Sequence, residues 1–133
     1  MSFTGPVEDR LAIRELIDSY NDAVACFDAD AWGATWAEDA EWELMGHIVQ
    51  GRESIVKLWQ QTMQSFEFVV FQAAPGAVDV TGNTATGRVF VSEVLQPKGG
   101  ERRNVQGRYD DTYVKVGSDW CFQTRRYQVL VEY

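Results

Sequence analysis

Residues 66–80, 84–96, 102–116 and 119–133 read FEFVVFQAAPGAVDV, TATGRVFVSEVLQ, RRNVQGRYDDTYVKV and DWCFQTRRYQVLVEY. All of these stretches are rich in β-branched and aromatic residues, which favour extended strands. Turn-forming residues separate them at 81–83, 97–100 and 117–118. The second half of the chain therefore predicts a meander of long antiparallel strands.

The first half of the chain has helical periodicity instead. Apolar residues recur every three or four positions between Glu8 and Phe27, which predicts an amphipathic helix that begins just after Pro6. A short second helix is expected to be capped by Asp28 or Asp30. The predicted helices span residues 8–27, 31–37 and 52–66, and a predicted short strand, AEWELM, spans residues 40–45.

Helices followed by a strand meander predict an α+β fold in which the helices cover one face of an antiparallel sheet. Such a layout leaves a pocket between the layers, where small molecules bind. The length of 133 residues is that of one domain, which we expect to span residues 1–133.

The charge of the chain disfavours nucleic acid and anionic membranes as partners. It has 12 Lys and Arg against 20 Asp and Glu, a net charge of −8. No apolar run is long enough for a membrane span, and residues 1–10 do not resemble a signal peptide. We therefore expect a cytoplasmic protein whose two cysteines, Cys26 and Cys121, are reduced core residues.

Two kinds of active site are excluded by residue type. One histidine and two distant cysteines cannot supply a zinc site, and no Gly-x-Ser-x-Gly sequence offers a nucleophilic serine. The single histidine, His47, falls in the connection 46–51, where a surface loop position is expected.

Six short strings resemble one known family in their order and spacing. They are RLAIRELIDSY (10–20), WAEDAEWEL (36–44), GRESI (51–55), VTGNTATGRV (80–89), GRYDDTY (107–113) and DWCFQTRRY (119–127). Together they resemble the SnoaL-like proteins of the nuclear transport factor 2-like superfamily over nearly the whole chain. The resemblance implies a cone-shaped α+β barrel with an internal pocket, no cofactor, and a homodimer formed through the outer face of the sheet.

The superfamily includes polyketide cyclases, ketosteroid isomerase, scytalone dehydratase, a hexachlorocyclohexane dehydrochlorinase and non-catalytic binding modules. The dehydratase and dehydrochlorinase use a histidine after the third helix, oriented by an aspartate near the end of the first. Here the histidine position falls at Phe71 or, with a shift of one residue, at Gln72. The aspartate position falls at Ala25, and only a shift of three residues reaches Asp28. The usual histidine base is missing.

Other polar residues are expected to face the pocket. Side chains alternate between the faces of a strand, so Glu93, Asp111 and Arg125 each share a side with apolar or aromatic neighbours. By spacing, Arg125 and Tyr109 match pocket residues of the dehydrochlorinase, and by that analogy these sides face inward. The inward sides would be 89, 91, 93 and 95; 109, 111 and 113; and 121, 123, 125, 127 and 129. An internal salt bridge that only stabilises the sheet is the alternative interpretation of these charged residues.

These residues support three functional hypotheses. The first is an isomerase, cyclase or lyase for a small, apolar, cyclic substrate, in which Asp28, Glu93 or Asp111 moves a proton and Arg125 orients or neutralises charge. The second is a binding module without chemistry, and the third is an oligomerisation or docking domain. Residues expected to contact a ligand are Tyr20, Trp36, Trp42, Trp59, Met63, Gln72, Tyr109 and Tyr127. For Tyr20, the three tryptophans and Met63, a place in the core is the simpler interpretation.

Overall fold

A computed structural model describes residues 2–133 as three helices and six strands. The helices are α1 (Val7–Cys26), α2 (Ala29–Ala34) and α3 (Arg52–Met63). The strands are β1 (Trp36–Leu44), β2 (His47–Gln50), β3 (Phe66–Thr81), β4 (Thr84–Pro97), β5 (Arg103–Val116) and β6 (Asp119–Glu132). The helix–strand order predicted from the sequence is confirmed, with one additional strand.

All strands belong to one sheet in the order β2-β1-β6-β5-β4-β3. The meander β3 to β6 is antiparallel throughout, whereas β1 pairs with β6 in parallel. The sheet does not close, because β2 and β3 form its two edges. The predicted α+β architecture, with three helices on a mostly antiparallel sheet, is confirmed.

Helix α1 packs on the sheet through one apolar stripe. Its buried residues are Ile13, Leu16, Ile17, Tyr20, Ala23 and Val24. Leu11 and Phe27, which the sequence pattern placed on that stripe, are exposed. Phe27 ends the helix with a left-handed φ of 53°, which turns its side chain away from the stripe. None of the helices in residues 2–133 has the length and apolarity needed to cross a membrane.

The segment between α1 and α3 differs from its predicted boundaries. Helix α2 ends at Ala34 and not at residue 37, because Trp36 already pairs with Phe122 of β6. The connection that holds His47 is strand β2, and not the expected loop. Met45 and Gly46, with φ of 49° and 86°, reverse the chain so that β2 pairs with β1. His47 is nevertheless exposed.

A bulge in β6 changes which side chains face the helices. Tyr113 pairs with Phe122 and Thr112 with Thr124, so Gln123 is an additional residue in β6. Phe122 therefore lies on the same face of β6 as Arg125 and Tyr127. The expectation that Cys121 and Gln123 share the side of Arg125 is wrong.

The two cysteines, which were both expected in the core, differ in exposure. Cys121 is buried as predicted, but Cys26 is exposed.

Between helices and sheet lies an aromatic core. Trp32 stacks on Trp59 with ring centroids 4.6 Å apart, and Tyr20 contacts Trp32, Trp36 and Phe122 edge-on or tilted. Trp32, Trp36 and Phe122 have no solvent exposure. Because pairs of this kind add about 0.5–1.5 kcal/mol beyond burial, the cluster fixes α1, α2 and α3 against the sheet.

Candidate functional site

A cavity of about 250 Å³ opens between α1, α3 and the β3–β6 end of the sheet. Most of its walls are apolar: Val24, Trp42, Leu44, Met45, Trp59, Met63, Phe66, Val69, Phe71, Leu95, Val105 and Val129. Its polar lining residues are Tyr20, Thr62, Glu93, Arg103, Tyr109, Tyr127 and Glu132. These residues come from elements that are far apart in sequence, and the packing of the helices on the sheet brings them together.

Glu93 is the most deeply placed carboxylate of the cavity. The Tyr127 hydroxyl donates a hydrogen bond to Glu93 Oε1 at 3.1 Å. Burial raises the pKa of Glu93, and the hydrogen bond from Tyr127 and the charge of Arg103 oppose that rise. Burial also raises the pKa of Tyr127, and the nearby Glu93 carboxylate adds to the rise, so Tyr127 keeps its proton and remains a donor.

The mouth of the cavity carries charge of both signs. Arg103 Nε and Glu132 Oε1 form an ion pair there, with side chains 48% and 41% exposed. Met45 lines the same opening and is 70% exposed. An exposed pair of this kind stabilises little, but the charge of its arginine opposes the effect of burial on the pKa of Glu93.

Two tyrosines form the polar part of the inner wall. Trp42 Nε1 donates to the Tyr109 hydroxyl at 3.2 Å. Since a hydroxyl has one proton to donate and two lone pairs, this bond does not use the Tyr109 proton, and a hydrogen bond with Tyr109 also opposes the effect of burial on the pKa of Tyr20. Burial raises the pKa of both Tyr20 and Tyr109, so each remains protonated. The wall can therefore donate hydrogen bonds to a carbonyl or enolate oxygen.

Asp111 and Arg125 lie behind this wall and do not line the cavity. Arg125 Nε and Nη2 donate to the two carboxylate oxygens of Asp111 at 2.8 and 3.1 Å. The Tyr113 hydroxyl donates to Asp111 Oδ2 at 2.9 Å. Both charged side chains are essentially without solvent contact, at 1% and 0% exposure. They form an internal salt bridge, which is the alternative interpretation that the sequence left open for these charged residues.

The guanidinium of Arg125 also stacks on aromatic rings. Its Cζ lies 3.8 Å from the ring centroid of Tyr109, 4.2 Å from that of Phe122 and 4.6 Å from that of Tyr20. Burial, the largest single effect, lowers the pKa of Arg125, but the Asp111 carboxylate together with Tyr20 and Tyr109 outweighs burial and raises it. Burial raises the pKa of Asp111, whereas the charge and hydrogen bonds of Arg125 lower it. Because both carboxylate oxygens of Asp111 are paired with a permanent cation, the pair stays ionised.

Besides Asp111 and Arg125, three more of the residues expected at the site lie elsewhere. Asp28 caps helix α2, where its Oδ1 accepts from Ala31 N at 3.0 Å. Gln72 is exposed on the outer face of the sheet, because Phe71 takes the inward position on β3. Trp36 is enclosed in the aromatic core and does not line the cavity. The structure does bring Tyr20, Trp42, Trp59, Met63, Glu93, Tyr109 and Tyr127 together at the cavity.

Sequence reasoning missed Arg103, Glu132 and Phe71 as lining residues. Arg103 could have been found, because it is an even number of positions from Tyr109 on the same strand. Glu132 could not, because a second bulge between Val129 and Val131 changes the alternation of β6 again. Phe71 occupies the position at which the resemblance expects a histidine, so an apolar ring replaces a base there. Within residues 2–133, no group of three His, Cys, Asp or Glu side chains could hold a metal ion.

The family model described as SnoaL-like domain matches residues 6–126. The chain therefore belongs to the SnoaL-like family, which is the class of protein that its fold and cavity indicated. Among curated protein sequences, none matches the chain.

Solved structures reproduce the fold closely at low sequence identity. A Novosphingobium aromaticivorans protein provisionally described as a scytalone dehydratase has a TM-score of 0.88 and 20% identity, over 96% of this chain and 87% of its own. A second protein from that organism, provisionally described as an aromatic ring hydroxylase, has a TM-score of 0.88 and 26% identity, over 96% and 93%. Hexachlorocyclohexane dehydrochlorinase (LinA) type 2 also reaches 0.88, at 16% identity over 96% and 88%. These similarities confirm the expected cone-shaped fold.

Proposed function

We propose that this protein is an enzyme that moves a proton on a small, largely apolar, cyclic substrate, as an isomerase, cyclase or lyase. The observation that carries the proposal is Glu93, a carboxylate with a raised pKa inside a mostly apolar cavity. Because burial raises its proton affinity, a carboxyl group in that setting can accept a proton and return it. The family's relatives described as a dehydratase and a dehydrochlorinase support the general reaction class.

The size of the cavity supports a substrate of one substituted ring. A cavity of roughly 150 Å³ is sufficient for benzene, and this cavity measures about 250 Å³. Pockets that bind drug-sized ligands measure about 300–1,000 Å³. A tetracyclic molecule would therefore require the mouth at Met45 and Arg103 to open.

The roles follow from the hydrogen bonds. Glu93 Oε1 accepts from Tyr127, which leaves Oε2 to take a proton from a carbon next to a carbonyl group of the substrate. The electron pair of the broken C–H bond moves toward the carbonyl oxygen, which becomes enolate-like. Tyr109, whose hydroxyl accepts from Trp42, donates its own proton in a hydrogen bond to that oxygen. Return of the proton to another carbon completes an isomerisation. In a lyase reaction the electron pair returns from the enolate oxygen, forms a C=C bond and expels a leaving group from the neighbouring carbon, and that group takes the proton from Glu93.

A direct test uses small cyclic ketones and does not require the natural substrate. A thermal-shift screen of one-ring and two-ring ketones selects binders, and proton NMR in D₂O then follows exchange of the hydrogens next to the carbonyl. We expect exchange above the buffer rate with the wild-type protein and a loss of about 10²–10⁴-fold in Glu93→Gln. Glu67→Gln, an exposed carboxylate on β3, is the matched control. Undiminished exchange in Glu93→Gln would remove Glu93 from proton transfer.

A binding module without chemistry is the second candidate. Phe71 at the expected histidine position favours it, since the usual base of the catalytic relatives is replaced by an apolar ring. This candidate predicts saturable thermal shifts that are equal in wild type and Glu93→Gln, with no exchange in either.

We further propose that two copies associate through the outer face of the sheet. Phe68, Val70, Phe90 and Val131 are between 37% and 50% exposed on that face. Phe68 and Val70 lie two residues apart on β3, and Phe90 lies on the neighbouring strand β4, opposite Ala74. An exposed apolar surface of this type is typical of an interface.

A cytoplasmic location is also part of the proposal. The free cysteines Cys26 and Cys121 support it, because thiols stay reduced in that compartment. Fractionation of cells that express a tagged chain tests this location.

A further inference from the structure

Tyr127 and Glu93 meet although they lie on strands that are not neighbours. Glu93 is on β4 and Tyr127 on β6, and β5 runs between them. Gly107 of β5 pairs with Val91 of β4 on one side and with Val129 of β6 on the other. The tyrosine side chain must therefore pass over β5 to reach Glu93.

The Tyr127 side chain passes over β5 at Gly107. A Cβ atom at Gly107 would lie 2.5 Å from Cε1 and 2.6 Å from Cζ of Tyr127, and would also contact its hydroxyl oxygen too closely. Real Cβ atoms do not approach other atoms to such distances. Gly107 has no left-handed φ, so its backbone conformation does not require glycine. The space occupied by the Tyr127 ring is what requires it.

We propose that Gly107 is a positioning residue, whose missing side chain lets the Tyr127 ring lie across β5 and hold the Glu93 carboxylate by its hydroxyl. This inference rests on the proposed role of Glu93 as the group that moves the proton. Tyr127 fixes Oε1 and so directs Oε2 toward the cavity. An alanine at 107 would displace the ring, because the free end of a tyrosine beside an open cavity can move more easily than the strands.

The groups that face Glu93 determine how its titration responds. They are Tyr20 from α1, Arg103 and Tyr109 from β5, and Tyr127 and Glu132 from β6. The cavity-lining residues of α3, β1 and β3 in the described chain are not titratable. Of the facing groups, only Tyr127 donates a hydrogen bond to Glu93. Loss of that bond disfavours the ionised carboxylate and raises the pKa of Glu93.

The test is a carbon-13 NMR titration of the Glu93 carboxyl in the ligand-free protein. We expect the pKa of Glu93 to rise in Tyr127→Phe and also in Gly107→Ala. The double variant should show no rise beyond that of Tyr127→Phe, because both changes remove the same hydrogen bond. Gly76→Ala, where a Cβ meets its nearest atom at 3.4 Å, and Tyr133→Phe at the exposed C-terminus are the controls.

An unchanged pKa of Glu93 in a folded Gly107→Ala variant would overturn the proposal, as would an unchanged pKa in Tyr127→Phe. If Gly107→Ala does not fold, the same change is made together with Tyr127→Ala. Recovery of the fold in that background supports the clash with the ring, and continued misfolding contradicts it. The titration needs no substrate, so it can succeed even if Glu93→Gln shows that Glu93 moves no proton.

Discussion

Arg125 and Asp111 form a two-pronged ion pair behind the cavity wall, with both side chains shielded from solvent. The pair removes both residues from the set of free acid–base groups. Glu93, by contrast, lies in the cavity with a tyrosine and no paired cation. Asp111 and Glu93 both point inward from the sheet, but Arg125 holds Asp111 in an ion pair, whereas Glu93 is left to exchange a proton.

Removing one partner of this pair should strongly destabilise the fold. In Arg125→Met or Asp111→Asn, the remaining buried group loses its charged partner, at a cost of about 3–5 kcal/mol. Urea unfolding followed by tryptophan fluorescence measures this loss. The double change Asp111→Asn with Arg125→Met should cost less than the sum of these two single changes, since no unpaired charge remains.

The matched control is the exposed pair of Arg126 and Glu43, whose Nε and Oε2 atoms are 2.8 Å apart. Arg126 is 65% exposed, so Arg126→Gln should change stability by at most about 1 kcal/mol. Equal effects at Arg125 and Arg126 would show that the buried pair does not support the fold.

The raised pKa of Glu93 predicts a specific pH dependence of stability. Between the ordinary value of 4.5 and its raised value, the folded state binds more protons at Glu93 than the unfolded state does. The free energy of unfolding therefore falls as pH rises through this window. Glu93→Gln cannot ionise, so its stability relative to wild type should improve from pH 4 to pH 7. Urea unfolding across this range measures the difference, and Glu67→Gln should show no such trend.

Alternation along the strands, together with the resemblance to the dehydrochlorinase, predicted Glu93, Tyr109 and Tyr127 as inward-facing residues. It could not indicate depth, and so it did not separate Glu93, in the cavity, from Asp111, behind the wall. Depth depends on the helices that cover each part of the sheet. The bulge at Gln123 is equally absent from the residue pattern, because either neighbour could be the additional residue.

The helices were predictable from periodicity, but Asp28 had two predicted roles, as a helix cap and as a site residue. As one of the two expected caps of α2, Asp28 accepts from Ala31 N as the capping rule requires. Its position at the end of α1 also suggested a site residue, by an alignment shift of three. The local hydrogen bond places the carboxylate away from the cavity, so the simpler interpretation was correct.

Arg103 should tune the proton affinity of Glu93. Its charge opposes the effect of burial, so Arg103→Gln should raise the pKa of Glu93 further. The same variant releases Glu132 from its ion pair with Arg103. A second free carboxylate at the mouth disfavours ionisation of Glu93 and so raises its pKa as well. Carbon-13 NMR titration of Glu93 measures the change. Arg102→Gln is the control, since Arg102 lies over the Phe68 ring and not at the cavity; a fall in the pKa of Glu93 would contradict the prediction.

The outer sheet face should determine the oligomeric state. If two copies associate there, Phe90→Glu places charge in the interface and should convert dimer to monomer at low micromolar concentration. Sedimentation velocity measures this conversion, with Leu11→Glu on the exposed side of α1 as the control for an apolar-to-charged change. A wild-type protein that is monomeric under the same conditions would contradict the proposed dimer.

Met63 should set the upper limit of ligand size. It closes one end of the cavity from α3 and is only 8% exposed. Met63→Ala should cost about 2–5 kcal/mol in stability, because it leaves space that the surrounding core fills only partly. The same space should change ligand preference from one-ring toward two-ring ketones, measured as the ratio of their thermal shifts. Leu58→Ala, on a partly buried face of the same helix and outside the cavity, should destabilise without changing that ratio. An unchanged ratio in Met63→Ala would mean that ligands do not enter this cavity.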